Sequence, residues 1–196
     1  MSIQQRERLI KIILFILFSI PAIVLTIGLF TERLGVNPVE TLTHETGEWG
    51  LRLLLLTLFI TPLRQLTGWV MLTRLRRMIG LFAFFYVVLH FSTWLVLDHF
   101  FDWRFIVEDI LERPYITVGF TALVLMVPLA VTSTNKMIRR LGPKRWQKLH
   151  YLAYPAAIGG VVHFWWLVKS DFTEPLVYAV ILSLLFAARG YFKLVK

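Results

Sequence analysis

Apolar residues in this chain come in long runs, separated by short polar stretches. Six runs approach the roughly 20 residues needed to cross a bilayer as a helix. They lie at about 9–30, 49–66, 78–99, 115–134, 146–168 and 175–192. Strict alternation, the mark of a half-buried strand, is not sustained anywhere. The pattern predicts an all-α integral membrane protein, a bundle of six transmembrane helices formed by residues 1–196 as a single domain. The first run is too long for the apolar core of a signal peptide and no small-residue cleavage site closes it, so it reads as a retained span.

Composition agrees with this pattern. The chain is 57% hydrophobic and 15% aromatic, with mean hydropathy +0.68. Cysteine is absent, which excludes disulfides, thiolate metal sites and covalent c-type haem attachment. The net charge of +9 would point to nucleic acid in a soluble domain. Here it follows topology instead, and no nucleic-acid partner is expected, only membrane lipid. Sixteen of the 21 Lys and Arg fall in the N-terminus, the second and fourth connections and the C-terminus, counting Lys196. The other connections hold eleven of the twelve acids, all but Glu7. Under the positive-inside rule both termini face the cytoplasm. Connections of at most 18 residues leave no room for a soluble domain. Neither GxGxxG nor a Walker A pattern occurs, and no internal repeat is visible.

Five histidines punctuate the spans: His44, His90, His99, His150 and His163. His44 and His99 fall at the external side, where water can serve them. His90 stands about 12 residues, or ~18 Å, from the inner start of the third span, and His163 ~25 Å along the fifth. Both spans run outward, so these two imidazoles share the outer half of the bilayer. An ionisable residue at that depth marks a functional candidate with a partner. Two neutral imidazoles from different helices can hold one haem iron from both faces. His150 lies one turn inside the inner boundary, and a third histidine there leaves room for a second haem. Thirteen residues separate His150 from His163, which puts them on different faces of an ideal helix. Pro155 or Gly159–Gly160 is expected to kink the span and shift that phase. The bland alternatives are a buried packing histidine at either deep position and an interfacial one at His150.

Four stretches carry a family likeness: "LTHETGEWGLRLLLLTLFITPLRQ", "TRLRRMIGLFAFFYVVLHFSTW", "ERPYITVGF" and "LGPKRWQKLHYLAY". In order and spacing they resemble the haem-binding membrane subunits of the bacterial periplasmic methionine sulfoxide reductase system, the MsrQ or YedZ family. That family sits within the wider ferric-reductase-like transmembrane group. The resemblance implies b-type haem bound through His90, His163 and His150, and FMN as an associated cofactor. It implies electron transfer across the bacterial inner membrane to a periplasmic molybdopterin catalytic subunit, MsrP, with the quinone pool or a cytosolic flavin reductase as donor. Methionine sulfoxide reduction itself belongs to that partner. The wider group often carries two histidines on each ligand helix, but Arg76 stands fourteen positions before His90. One haem therefore has a full ligand pair, and an inner one would have His150 alone.

Charged residues near these positions complete the candidate list. Haem propionates belong beside cations, and Arg52 and Arg113 are available at the outer level. The basic stretch from Asn135 to Lys148 leads into His150, so electron entry is expected at an inner site bounded by Arg76, Arg77, Arg145 and His150. The external acids Asp98, Asp102, Glu108 and Asp109 would meet the periplasmic partner. Two other readings are a proton- or ion-conducting histidine relay and a haemless anchor for a periplasmic enzyme.

Overall fold

A computed structural model describes residues 2–194; Lys196, one of the inner cations counted above, lies outside them. The described chain is almost wholly helical and contains no strand. In chain order the elements are α1 (Ile3–Phe30), α2 (Pro38–Thr67), α3 (Met71–Thr93), α4 (Trp103–Glu112), α5 (Pro114–Val131), α6 (Asn135–Leu141), α7 (Pro143–Leu149), α8 (Ala153–Leu167) and α9 (Thr173–Leu194). A π-helical turn, Trp94–Asp98, extends α3, and a 3₁₀ turn, His150–Leu152, joins α7 to α8. Prolines open α2, α5 and α7 at their first turns, where the missing N–H would have had no helical partner.

Four helices are long and apolar enough to cross a membrane: Gln4–Phe30, Met71–Asp98, Pro114–Val131 and Thr173–Leu194. The runs at 49–66 and 146–168 are helical but depart from expectation. The first is the apolar half of a 30-residue helix whose outer half carries Glu40, His44, Glu45 and Glu48. The second is not one continuous helix. It breaks at His150–Leu152, leaving α8 with 15 residues. The break lies in the turn just before Pro155, whose missing N–H cannot serve the Tyr151 carbonyl, and not at Gly159–Gly160. The stretch 100–114, read from sequence as a connection only, folds into the short helix α4.

Two helical hairpins form the centre: α2 packs along α3, and α5 along α8. Small residues set how closely they approach. A Cβ built on Gly50 would stand 2.8 Å from Val87 Cγ2, and one on Gly159 3.2 Å from the Ala122 Cβ. The apolar core runs through Leu53, Leu54, Leu58, Ile79, Ala83, Tyr86, Met126, Ala156 and Ala157. α9 closes the bundle against α2 and α8, and α1 leans on α2 and α3.

Polar side chains repair the backbone where proline interrupts it. In hydrocarbon every backbone N–H and C=O must find a partner inside the protein. Near Pro21 the fully buried Tyr86 hydroxyl donates to Phe18 O at 2.7 Å and accepts from Ala22 N at 3.0 Å. It is thus inserted between a donor and an acceptor four residues apart, a step that helical geometry would close directly. Tyr86→Phe removes both bonds from a site without water. The expected loss is about 1–3 kcal/mol, measured as a lower midpoint of thermal unfolding in detergent. An unchanged midpoint would mean that Ala22 and Phe18 re-form the direct bond.

Candidate functional site

Helices α2, α3, α5 and α8 enclose a cavity of about 560 Å³, lined also by Asn37 and Glu40 at the start of α2, the end of the bundle expected from sequence to face outward. His90 on α3 and His163 on α8 line it from opposite hairpins, with ring centres 5.9 Å apart and planes at 77°. The same device holds each ring. His90 Nδ1 lies 2.8 Å from Thr43 O, and His163 Nδ1 lies 2.7 Å from Tyr115 O. A carbonyl can only accept, so each Nδ1 carries the proton and each Nε2 keeps its lone pair. Four residues after each acceptor comes a glycine. A Cβ on Gly47 would stand 2.9 Å from His90 Nδ1, and one on Gly119 2.6 Å from His163 Nδ1. Only glycine lets each ring lie this close against the neighbouring helix.

Two neutral imidazoles with matching free nitrogens form a donor set for one metal. Metal–imidazole bonds of about 2 Å, plus about 1 Å from each nitrogen to its ring centre, place two axial rings about 6 Å apart. The observed 5.9 Å fits that. Among the described residues no group of three or more His, Cys, Asp or Glu is placed to hold a metal ion. The cavity between the two rings leaves space for a bound ligand. The walls suit a large planar apolar one: Leu51, Val87, Phe91, Phe120, Ala156, Gly160 and Phe164 line the same cavity. The residues present fit haem.

The cavity mouth is polar, lined by Asn37, Glu40, His44, Asp98, His99, Asp109 and Arg113. His99, expected simply to reach water, instead packs edge-to-face against Trp94 and lies 3.1 Å from the Asp109 carboxylate. Arg113 holds the other oxygen of Asp109 at 3.1 Å, and so ties α4 to the mouth. Of the two arginines expected near propionates, Arg113 lines the cavity. Arg52 is not among its lining residues; it pairs with Glu48, donates to the Tyr178 hydroxyl at 2.9 Å and lies over Trp49.

His150 belongs to a separate, smaller cavity of about 100 Å³ near the inner end. Its ring stacks on Trp146 at 3.8 Å, and its Nε2 lies 3.2 Å from the Thr132 hydroxyl. Arg76 and Arg77 line this cavity with it, and no second histidine does. Arg145 is exposed and is not among the lining residues. Leu54 and Met126 line both cavities, so a single layer of buried side chains separates inner from outer site. Sequence reasoning found the histidines but missed Gly47, Gly119, Leu54 and Met126. The available signal was a glycine in an otherwise bulky helix at the depth of each paired histidine.

Gly119→Ala should displace the His163 ring, because the new methyl has no room at 2.6 Å. Gly47→Ala should do the same to His90 less severely. Both variants are expected to lose haem occupancy, read as the ratio of Soret to protein absorbance, with the alanine at 119 losing more. Full occupancy in both would show that the rings need no glycine backing.

Comparison with known proteins gives the family. Residues 46–161 match the family described as ferric reductase like transmembrane component. A relative from Herminiimonas arsenicoxydans is 51% identical over 93% of this chain and 85% of its own length. One from Rhodospirillum rubrum is 52% identical over 95% and 90%, and one from Xanthomonas campestris pv. campestris 55% over 84% and 75%. Each is named protein-methionine-sulfoxide reductase heme-binding subunit MsrQ. No solved structure matches the chain. The chain belongs to the ferric-reductase-like transmembrane family and, within it, to the MsrQ haem-binding subunits.

Proposed function

We propose that, as a member of this family, the chain is a b-haem electron-transfer subunit that carries electrons across the bacterial inner membrane to a periplasmic molybdopterin methionine sulfoxide reductase of the MsrP type. The observation that carries the reading is the matched pair His90 and His163, each with Nδ1 committed to a carbonyl and Nε2 free. In this reading six segments cross the membrane, with α2 and the α7–α8 unit joining the four most apolar helices. Both termini lie in the cytoplasm, as the inner bias of Lys and Arg supports.

Bound haem would supply reversible one-electron chemistry at a potential tuned by its axial ligands and burial. The chain's own residues do the rest. His90 and His163 would hold the iron, and the carbonyls of Thr43 and Tyr115 fix ring orientation and would raise ligand basicity. The apolar walls keep water from the iron. Arg113 and His44 at the mouth serve the haem carboxylates. Arg52, one helix turn from Glu48, acts on that side through its contacts with Glu48, Tyr178 and Trp49. At the inner face Arg76, Arg77, Trp146 and His150 bind and orient the polar ring of a donor, quinol or the FMN of a cytosolic flavin reductase. Arg145 stands outside this cavity and steers the approach of an anionic donor. The thin Leu54–Met126 layer keeps the two sites close yet separate. Asp98, Asp102, Glu108 and Asp109 on the outer side present negative charge to the periplasmic partner.

Two experiments test this reading. His90→Ala and His163→Ala should each abolish the same low-spin haem signal, because removing either ligand leaves the iron without an axial partner. Loss of spectrally different haems would break the pairing. In proteoliposomes, Arg76→Gln and Arg77→Gln should slow haem reduction by the physiological donor and leave re-oxidation by the periplasmic partner unchanged. Slowed re-oxidation with normal reduction would place the entry and exit faces the other way round.

A further inference from the structure

Two arginines at the inner end are turned into the protein rather than toward water. Arg189 on α9 donates through Nη2 to Leu58 O and through Nη1 to the Tyr154 hydroxyl at 2.5 Å, with its guanidinium 5.2 Å from the Tyr154 ring centre. Leu58 is four residues before Pro62, so its carbonyl has lost its helical N–H partner. Arg76 on α3 donates to the Thr61 hydroxyl at 3.2 Å. Leu58 and Thr61 are one turn apart on α2, so both cations converge on one face of that helix.

Among the described residues no carboxylate pairs with them: neither Arg76 nor Arg189 makes an ion pair. Eleven of the twelve acids lie on the outer side by sequence position, and the exception, Glu7, is taken by Lys11 and Arg74. The same corner also gathers loose polar atoms. Two buried side-chain atoms lack a hydrogen-bond partner among the described residues, Arg189 Nε and Gln65 Oε1. Gln65 lies seven residues after Leu58 and four after Thr61, on the same face of α2. Its amide can be turned to offer NH₂ instead of oxygen, which adds a donor beside the two guanidiniums. Arginines that serve only to orient a membrane protein can stay in water. Two partly buried guanidiniums facing one helix need a counter-charge, because an uncompensated charge away from water is costly.

We propose that this corner binds a phosphate group at the inner membrane face, held between the Arg76 and Arg189 guanidiniums and supported by Gln65. Phosphate matches the chemistry: it is anionic, it is planar-fork compatible with arginine, and its several oxygens satisfy donors from two helices. Its level, at the inner ends of α2, α3 and α9, is that of inner-leaflet headgroups. The site rests on the electron-transfer reading's orientation of the chain and shares Arg76, but not Arg189 or Gln65, with its inner donor cavity, so the test reads binding rather than electron transfer.

Native mass spectrometry of the intact, delipidated protein tests the proposal with phosphatidylglycerol, phosphatidylcholine and, in a parallel thermal-shift series, inorganic phosphate. Phosphatidylglycerol should bind wild type in preference to phosphatidylcholine. The Arg76→Gln/Arg189→Gln double variant should weaken that binding roughly tenfold or more, while Arg140→Gln, an exposed cation of α6, should not. A stabilising response to inorganic phosphate in wild type only, with no lipid preference, would assign the same site to a free phosphate or phosphate ester. Should the double variant fail to elute as folded protein, Arg189→Lys keeps the charge but loses the fork, and it should still weaken binding. Equal lipid and phosphate responses in wild type, Arg189→Lys and Arg76→Gln would overturn the proposal.

Discussion

An imidazole inside hydrocarbon has two nitrogens to satisfy, and this structure satisfies only one of them with protein. That constraint organises the centre of the molecule. Each Nδ1 of His90 and His163 is given a backbone carbonyl from the adjacent helix. In a helix that carbonyl already serves the N–H four residues on, but oxygen has a second lone pair to offer. Reaching it requires the ring to lie against the helix surface, and the residue four positions on is the one in the way. In both hairpins that residue is glycine. The α2–α3 and α5–α8 pairs thus repeat one arrangement, acceptor, glycine and facing histidine, without any repeat being visible in the sequence. With both Nδ1 atoms committed, the two Nε2 atoms are left for a shared ligand, and the cavity between the hairpins follows.

Much of this was legible in the sequence, for a clear physical reason. Membrane depth is nearly one-dimensional, so residue counts along apolar runs placed His90 and His163 at one level before any packing was known. Charge asymmetry is likewise additive along the chain. What stayed hidden depends on pairing between helices. Gly47 and Gly119 read as ordinary membrane-helix glycines until the facing ring is placed. The break at His150–Leu152 was expected further along, at Pro155, because the role of that proline depends on where α8 begins. α4 was missed because ten residues between two spans look like a connection. Only its packing, with Ile106 buried and Asp109 tied to His99 and Arg113, makes it an element.

Backbone repair is the second theme. Prolines within α1 and α2 leave polar backbone atoms in need of partners, and long polar side chains from other helices supply them. Tyr86 inserts into α1 near Pro21, and Arg189 reaches the carbonyl that Pro62 leaves free. Each repair ties two helices together at a point where ridges and grooves alone would allow sliding. The family's role needs such fixing, because the distance between inner and outer sites is set by how α2, α5 and α8 sit around Leu54 and Met126. The hydroxyl of Tyr86 adds no charge to the membrane. The guanidinium of Arg189 does, and that difference separates the two repairs.

A neutral donor would have sufficed for the Leu58 carbonyl alone. Using arginine there introduces a positive charge close to Arg76, on the side of the membrane that already carries most of the chain's cations. Repulsion between the two guanidiniums opposes their convergence on α2. They converge nonetheless, with Thr61 and Tyr154 as neutral partners that orient but do not discharge them. On the outer side the opposite economy holds: Arg52 and Arg113 are each matched to a carboxylate, Glu48 and Asp109. The outer arginines are therefore balanced by the fold itself, whereas Arg76 and Arg189 among the described residues are not. The balance proposed for them is a phosphate group, which the headgroup level of a phospholipid bilayer supplies where these helices end.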